Sequence, residues 1–211
     1  MPQTFMTDLL NLDKTLFLFL NALFSNPFFD ILFPLITEFN FWIVPGVIAI
    51  GFFYRKEKRK ALIILGLAIL LAAITDPLCS RVLKPFFHRL RPCHPLMIIE
   101  NANYLLGKKT SYSFPSAHAM NIFAQAALFS GFYPRKRLYF VGFALLIAFS
   151  RIYVGVHYPL DVIIGAIIGA GIGWLLHLLG KRAVEWRRSP QDLSTSPLPG
   201  PVSPSSSGST P

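Results

Sequence analysis

Long apolar stretches separated by short basic blocks are the feature that most constrains how this chain folds. Four of the stretches are apolar enough to be membrane-spanning helices: residues 61–83, 116–133, 138–153 and 158–180. Residues 41–54 predict a fifth span. Residues 15–37 are interrupted by Asn, Pro and Asp, so they predict either a sixth, kinked span or a helix in the membrane interface. The sequence therefore predicts an all-α fold, a polytopic membrane bundle of five to six transmembrane helices.

The composition agrees with a membrane protein. Hydrophobic residues make up 53% of the 211 residues and charged residues only 14%, with a mean hydropathy of +0.51. A soluble domain carries about 25% charged residues, so an ordinary cytosolic enzyme, a disordered protein and a disulfide-stapled secreted domain are excluded. The net charge of +10 comes from short blocks between apolar runs, which is typical of cytoplasmic membrane loops and argues against a nucleic-acid partner.

The basic blocks orient the predicted helices. Residues 55–60, 135–137 and 181–188 are rich in Lys and Arg and are expected on the cytoplasmic side. The four clearest spans must then alternate in direction. The outer face therefore receives the ends of residues 61–83 and 138–153 and the starts of residues 116–133 and 158–180. We expect residues 1–188 to form one membrane domain. The Pro/Ser-rich residues 189–211 are expected to form a disordered cytoplasmic tail.

Unusual polar side chains gather at those outer ends. They are Lys84, His88, Arg89, Arg91, Ser116, His118, Ser150, Arg151, His157 and Asp161. Cations together with histidines favour an anionic substrate, and phosphate fits best because Lys and Arg offset its charge. Residues 113–121 (SFPSAHAMN) predict a helix start whose amides near Ser116 and Ala117 point at the anion, with His118 in the first turn.

The histidines suggest how such a site works. Asp161 follows His157 by four residues, so its carboxylate can reach a ring N–H and leave the other nitrogen free. A neutral His157 so held can attack phosphorus, and His118 can protonate the leaving oxygen. In contrast, we interpret Arg81 and Arg89 as anchors at the membrane interface.

Three spaced motifs together resemble the signature of the type-2 phosphatidic acid phosphatase family. They are Lys84-x6-Arg91-Pro92, Pro115-Ser116-Ala117-His118 and Ser150-Arg151-x5-His157-x3-Asp161. The resemblance implies a helical membrane phosphatase that needs no metal or other cofactor, with its site at the outer face. It makes His157 the nucleophile, Asp161 its partner and His118 the general acid. It assigns phosphate binding to Lys84, Arg91, Arg151, Ser116 and the backbone of Ala117, a position that is usually glycine in the family.

The resemblance also implies the substrate class, a phosphorylated lipid in the membrane. The small chain resembles bacterial members, which places it in the inner membrane with its site facing the periplasm and its C-terminus in the cytoplasm. Undecaprenyl diphosphate is the favoured substrate. Phosphatidylglycerophosphate, phosphatidate and a lipid A phosphate are alternatives. Two other classes stay open at this point: a lipid phosphotransferase and a non-catalytic carrier of anionic lipids.

Overall fold

The computed structural model describes residues 2–23, 25–97 and 99–185, and this part of the chain contains helices and loops without a strand. The helices are α1 (Pro2–Leu23), α2 (Pro27–Thr37), α3 (Ile43–Glu57), α4 (Arg59–Pro77), α5 (Lys84–Phe87), α6 (Ala117–Phe132), α7 (Arg137–Tyr153) and α8 (Pro159–Glu185). The expected all-α fold is confirmed for these residues. The tail predicted over residues 189–211 lies outside the described residues.

Apolar length decides which helices can cross a membrane. Two described helical stretches meet the requirement, Arg59–Phe87 and Pro159–Arg182. A third span results when Met6–Ala22 and Pro27–Thr37 are taken together as one broken span, although the two are bent by 113°. Residues 15–37 are therefore two helices rather than one. The bend follows from Asn26, whose side chain accepts hydrogen bonds from the amides of Phe28 and Phe29 and so caps α2.

The stretch predicted over residues 61–83 continues to Phe87 through a π-helical segment, Leu78–Leu83, which joins α4 to α5. A π-helical turn changes the direction in which later side chains point, and such turns are frequent at functional sites. Here the segment immediately precedes Lys84, the first of the predicted phosphate-binding residues.

Helices α6 and α8 form the closest helix pair. Three glycines at intervals of four face α6, where a Cβ on Gly165, Gly169 or Gly173 would lie 2.6, 2.0 or 2.1 Å from a backbone oxygen. The oxygens belong to Ser116, Met120 and Ala124 respectively. Small residues at this spacing allow two backbones to approach closely, as in many membrane helix pairs. The contact fixes the start of α6, which carries His118, against the start of α8, which carries Asp161.

Helix α1 docks on the end of α7 through a buried amide. Asn21 Nδ2 lies 2.7 Å from the Tyr153 carbonyl oxygen and 3.2 Å from that of Ile152, and Asn21 Oδ1 accepts from the Asn103 amide at 2.6 Å. These carbonyls end α7, and that of Ile152 also accepts from the Gly155 amide at 3.0 Å. The N-terminal helix is thereby held next to the turn that contains His157.

Candidate active site

His157 lies in the short turn between α7 and α8 and is 1% exposed. Its Nε2 is 3.0 Å from Arg91 Nη1. Because arginine only donates, Nε2 must be the acceptor, and the neutral ring carries its proton on Nδ1. That Nδ1 faces Asp161 Oδ2 at 3.5 Å, which is too long for a good hydrogen bond. The expected His157–Asp161 juxtaposition is thus present, with Asp161 on the Nδ1 side.

Asp161 is fully buried in the first turn of α8 and is held on several sides. Its Oδ2 accepts from the Tyr158 amide at 2.9 Å, and its Oδ1 accepts from Arg89 at 2.7 Å. Its backbone carbonyl accepts from the Ser116 amide at 2.9 Å. The last contact joins the motif that contains His118 directly to the motif that contains His157.

Arg91 is 7% exposed and is fixed by carbonyl oxygens as well as by the imidazole. Its Nε donates to Ser111 and its Nη1 donates to the Val156 carbonyl at 2.9 Å. Five donors in a planar fork allow a guanidinium to bind backbone oxygens and an oxyanion together. Arg91 therefore connects the loop before α6 to the turn that carries His157.

The end of α2 also reaches the site. Arg151 is buried near the end of α7 and donates to Thr37 Oγ1 through Nη1, while its Nε has no hydrogen-bond partner. The exposed ring of His118 lies beside the Thr37 backbone. A buried guanidinium N–H without a partner is costly unless a ligand satisfies it. The Arg151 Nε is therefore available to an incoming anion.

The electrostatic surroundings keep His157 neutral. Burial lowers the pKa of His157 well below its ordinary value of 6.5. Neighbouring groups lower it further, namely Arg91, Arg151, Lys84 and His118. The hydrogen bond of Arg91 to His157 and that of the Ser116 amide to the Asp161 carbonyl oxygen bring residues of the three motifs together.

Ser116 and Ala117 form the start of α6. Ser116 caps the helix, with its Oγ 3.4 Å from the Ala119 amide, and Ala117 is the first residue of the helix. A helical residue does not need the positive φ that glycine allows, so the Ala117 methyl is compatible with this backbone. The usual glycine is therefore dispensable here for conformational reasons.

The interpretation of Arg89 as an interface anchor is wrong. Its Nη1 donates to Asp161 and its Nη2 donates to Asp13 Oδ2 at 2.6 Å, so one guanidinium bridges two buried carboxylates. The sequence analysis also missed Asp13 in α1. The signal that was available is an acidic residue two positions before the apolar stretch 15–37, because acidic residues at membrane spans are rare and paired.

Acidic, histidine and cysteine side chains are the ones that usually hold a metal ion in a protein. Among the residues described, no three of these side chains are grouped so as to hold a metal ion. The positive charge around His157 comes from the side chains of Lys84, Arg91 and Arg151. That the reaction needs no metal or other cofactor stays a prediction.

The chain is similar to several known phosphatases. The family model of the PAP2 superfamily matches residues 61–185. The lipid A 4'-phosphatase of Porphyromonas gingivalis is 33% identical over 80% of this chain and 73% of its own length. The undecaprenyl-diphosphatase of Sulfolobus acidocaldarius is 35% identical, but over 57% of this chain and 55% of its own. The crystal structure of a transmembrane PAP2 type phosphatidylglycerolphosphate phosphatase from Bacillus subtilis superposes with a TM-score of 0.56 and 28% identity. It covers 86% of this chain and 88% of that one.

The fold and the site define a helical membrane phosphatase. The chain belongs to the PAP2 superfamily, and the resemblance carried by its three motifs is confirmed. The expectation of a phosphatase hydrolase is confirmed with it.

Proposed function

We propose that this protein removes the 4'-phosphate of lipid A by way of a phosphohistidine on His157. The observation that carries the proposal is the placement of Arg91 and Asp161 on opposite nitrogens of one buried, neutral imidazole. Such a ring keeps an electron pair on Nε2, held towards Arg91 at a cationic, anion-binding surface, and a phosphate that binds Arg91 would meet this pair.

The relatives support lipid A ahead of undecaprenyl diphosphate. Similarity to the lipid A 4'-phosphatase of Porphyromonas gingivalis extends over 80% of this chain, whereas similarity to the undecaprenyl-diphosphatase covers 57%. The match to the lipid A 4'-phosphatase is therefore the longer one along this chain. Undecaprenyl diphosphate, favoured by the sequence analysis, becomes the second candidate.

An apolar cavity beside the site supports a lipid substrate. It has a volume of about 600 Å³ and lies among α3, α4, α6 and α7. Ile122 lines it one helical turn from His118 on the same face of α6, and Lys136 lies at its far end. A volume of this size is typical of small-ligand pockets. A hydrocarbon chain in this cavity would leave its phosphate near His118.

The first chemical step transfers the phosphoryl group to the enzyme. Arg91, Arg151 and Lys84 bind the phosphate oxygens, and His157 Nε2 gives its electron pair to phosphorus. The phosphorus–oxygen bond to the lipid breaks, and the leaving oxygen takes a proton from His118, whose imidazolium form is favoured by the bound phosphate anion. Asp161 stabilises the positive charge that develops on His157.

The second step restores the enzyme. His118, now neutral, takes a proton from water as the water oxygen bonds to phosphorus and the phosphorus–nitrogen bond breaks. Inorganic phosphate leaves, and both histidines return to their starting states. The basic side chains supply the charge stabilisation that other phosphoryl-transfer enzymes obtain from Mg²⁺.

The proposal includes the predicted topology of five to six spans, with the site facing the periplasm and the C-terminus in the cytoplasm of a bacterial inner membrane. The contact of Lys60 Nζ with the Tyr133 ring, 4.5 Å from its centroid, supports it. This contact places the basic block 55–60 near block 135–137, at the end of α6 away from His118. Basic loops on the side opposite the site fit the positive-inside rule.

Phosphate release from defined lipids tests the proposed function. Purified protein in detergent micelles with EDTA is given lipid A, undecaprenyl diphosphate, phosphatidylglycerophosphate and phosphatidate separately. We expect the highest kcat/KM for lipid A, with loss of its 4'-phosphate in the mass spectrum of the product. A higher value for undecaprenyl diphosphate would establish the second candidate instead.

The same experiment separates the other classes of function. A hydrolase releases one inorganic phosphate for each lipid consumed, whereas a phosphotransferase consumes lipid without matching release. Absence of release from all four lipids would favour the carrier. Loss of activity in EDTA would contradict a reaction that needs no metal.

The lowered pKa of His157 predicts the pH dependence of kcat/KM. Only the neutral ring attacks, so activity should persist as pH falls through 6.5 and decline at lower pH. Arg91→Gln removes a positive charge near Nε2 and should move the acid limb to higher pH, because protonation of His157 becomes easier. Rates measured from pH 4 to 8 with para-nitrophenyl phosphate check this. An acid limb at the same pH in both proteins would contradict the assignment.

A further inference from the structure

We propose that Asp13, in the N-terminal helix, is a positioning residue that acts through Arg89 on the Asp161 carboxylate. The inference rests on the proposed function of His157 and Asp161 and adds a residue from outside the three motifs. The family match begins at residue 61, so helix α1 lies outside it. Nothing in the motif spacing assigns a role to this helix.

The three side chains form a buried chain of charges. Arg89 donates from Nη1 to Asp161 Oδ1 at 2.7 Å and from Nη2 to Asp13 Oδ2 at 2.6 Å. The side chain of Arg89 is 18% exposed, and those of the two aspartates 1% or less. Short charge-assisted bonds of this kind are strong and directional. The guanidinium also lies 4.2 Å from the centroid of the Tyr158 ring, which limits its remaining freedom.

Asp13 has a second contact with the same helix start. Its Oδ1 accepts from the Leu160 amide at 2.9 Å, and Leu160 is the second residue of α8. This amide has no partner within the helix, so Asp13 satisfies it from a separate helix. The Asp13 carboxylate therefore holds the α8 backbone next to Asp161. It also holds Arg89, which donates to Asp161 Oδ1.

The consequence concerns the other oxygen of Asp161. Because Arg89 and the Tyr158 amide fix the carboxylate plane, Oδ2 faces Nδ1 of His157. Without Asp13, Arg89 is bound at one end only, and the carboxylate can turn away from the imidazole. Substrate phosphate binds on the Nε2 side, so its binding does not depend on this chain. Asp13 should therefore affect the chemical step much more than substrate binding.

The test compares Asp13→Asn with wild type, using lipid A in mixed micelles. Asparagine retains size and an oxygen for the Leu160 amide but loses the charge that holds Arg89. We expect kcat to fall by about 10- to 100-fold, since small misplacements of catalytic groups cost about this much. KM should change by less than about twofold. Asp8→Asn, on the exposed surface of the same helix, is the matched control and should retain wild-type kinetics.

A double-mutant cycle tests that Asp13 acts through Arg89. In an Arg89→Gln background, Asp13→Asn should lower kcat by less than about twofold, because the link is already broken. The inference is overturned if the two single-variant losses of kcat multiply in the double variant. It is also overturned if Asp13→Asn has the kcat of wild type. If Asp13→Asn does not fold, Arg89→Lys serves instead. It retains the charge but cannot bridge both carboxylates, and an unchanged kcat would again overturn the inference. Inactive wild-type protein would instead contradict the proposed function.

Discussion

His157→Ala is expected to abolish phosphate release, with kcat on lipid A falling by about 10⁴-fold or more. Removing a nucleophile costs this much in enzymes with covalent intermediates, because the remaining groups provide only binding and charge stabilisation. The charged pocket of Arg91, Arg151 and Lys84 stays in place, so lipid A should still bind with an affinity close to that of wild type. The measurements are phosphate release and binding of lipid A to the variant.

A trapped intermediate makes this prediction specific. With ³²P-labelled lipid A and an alkaline quench, wild-type protein should retain acid-labile label, as a phosphohistidine does, and His157→Ala should retain none. His88→Asn is the matched control, because His88 is an exposed histidine of the neighbouring loop. Its φ of 50° is left-handed, and asparagine tolerates this conformation. Label that persists on His157→Ala would identify another nucleophile.

The proximity of most candidate site residues was predictable because their spacing within each motif is local. His157 and Asp161 are four residues apart, so the turn that starts α8 places one beside the other. Alternating helices then bring the three motifs to one end of the bundle. The helix bounds follow in the same way, since α6 and α7 begin and end within a residue of the stretches predicted over 116–133 and 138–153. Apolar length and capping residues determine such limits locally.

The contacts of the N-terminal helices were not predictable. Asp13 and Arg89 are 76 residues apart, and Thr37 and Arg151 are 114 apart. No fixed spacing relates the members of these pairs, and they meet only because α1 and α2 dock on the ends of α7 and α8. Hydrophobic periodicity reports that a helix is apolar but not which helix end it meets. For this reason Arg89 looked like an interface anchor, although it is part of the site.

The sharp bend between α1 and α2 has the same origin. Asn26 and Pro27 in the sequence indicate an interruption, but the angle depends on tertiary contacts. Tyr153 Oη donates to Asp30 at 2.6 Å, and the rings of Phe33 and Tyr153 pack with centroids 4.5 Å apart. These contacts hold α2 across the end of α7 and bring Thr37 to Arg151. A straight continuation of α1 would leave the Arg151 guanidinium without this partner.

His118→Ala is expected to lower kcat on lipid A by about 10²–10⁴-fold, the usual contribution of a general acid or base. The loss in the first step should be much smaller for para-nitrophenyl phosphate, because para-nitrophenolate leaves without taking a proton. Equal losses in the rate of the first step for both substrates would contradict acid catalysis by His118.

The second step distinguishes His118 from a residue that only binds phosphate. Without this base, water attacks the phosphohistidine slowly, so His118→Ala should accumulate it. With para-nitrophenyl phosphate we expect a rapid burst of one para-nitrophenol per enzyme, followed by slow turnover, whereas wild type should show a smaller burst. Loss of a phosphate-binding contact such as Arg151→Gln slows formation of the intermediate and gives no such burst. Only a block after the phosphoryl group has reached His157 leaves the enzyme phosphorylated. A burst in His118→Ala and none in Arg151→Gln would therefore assign the proton transfers to His118.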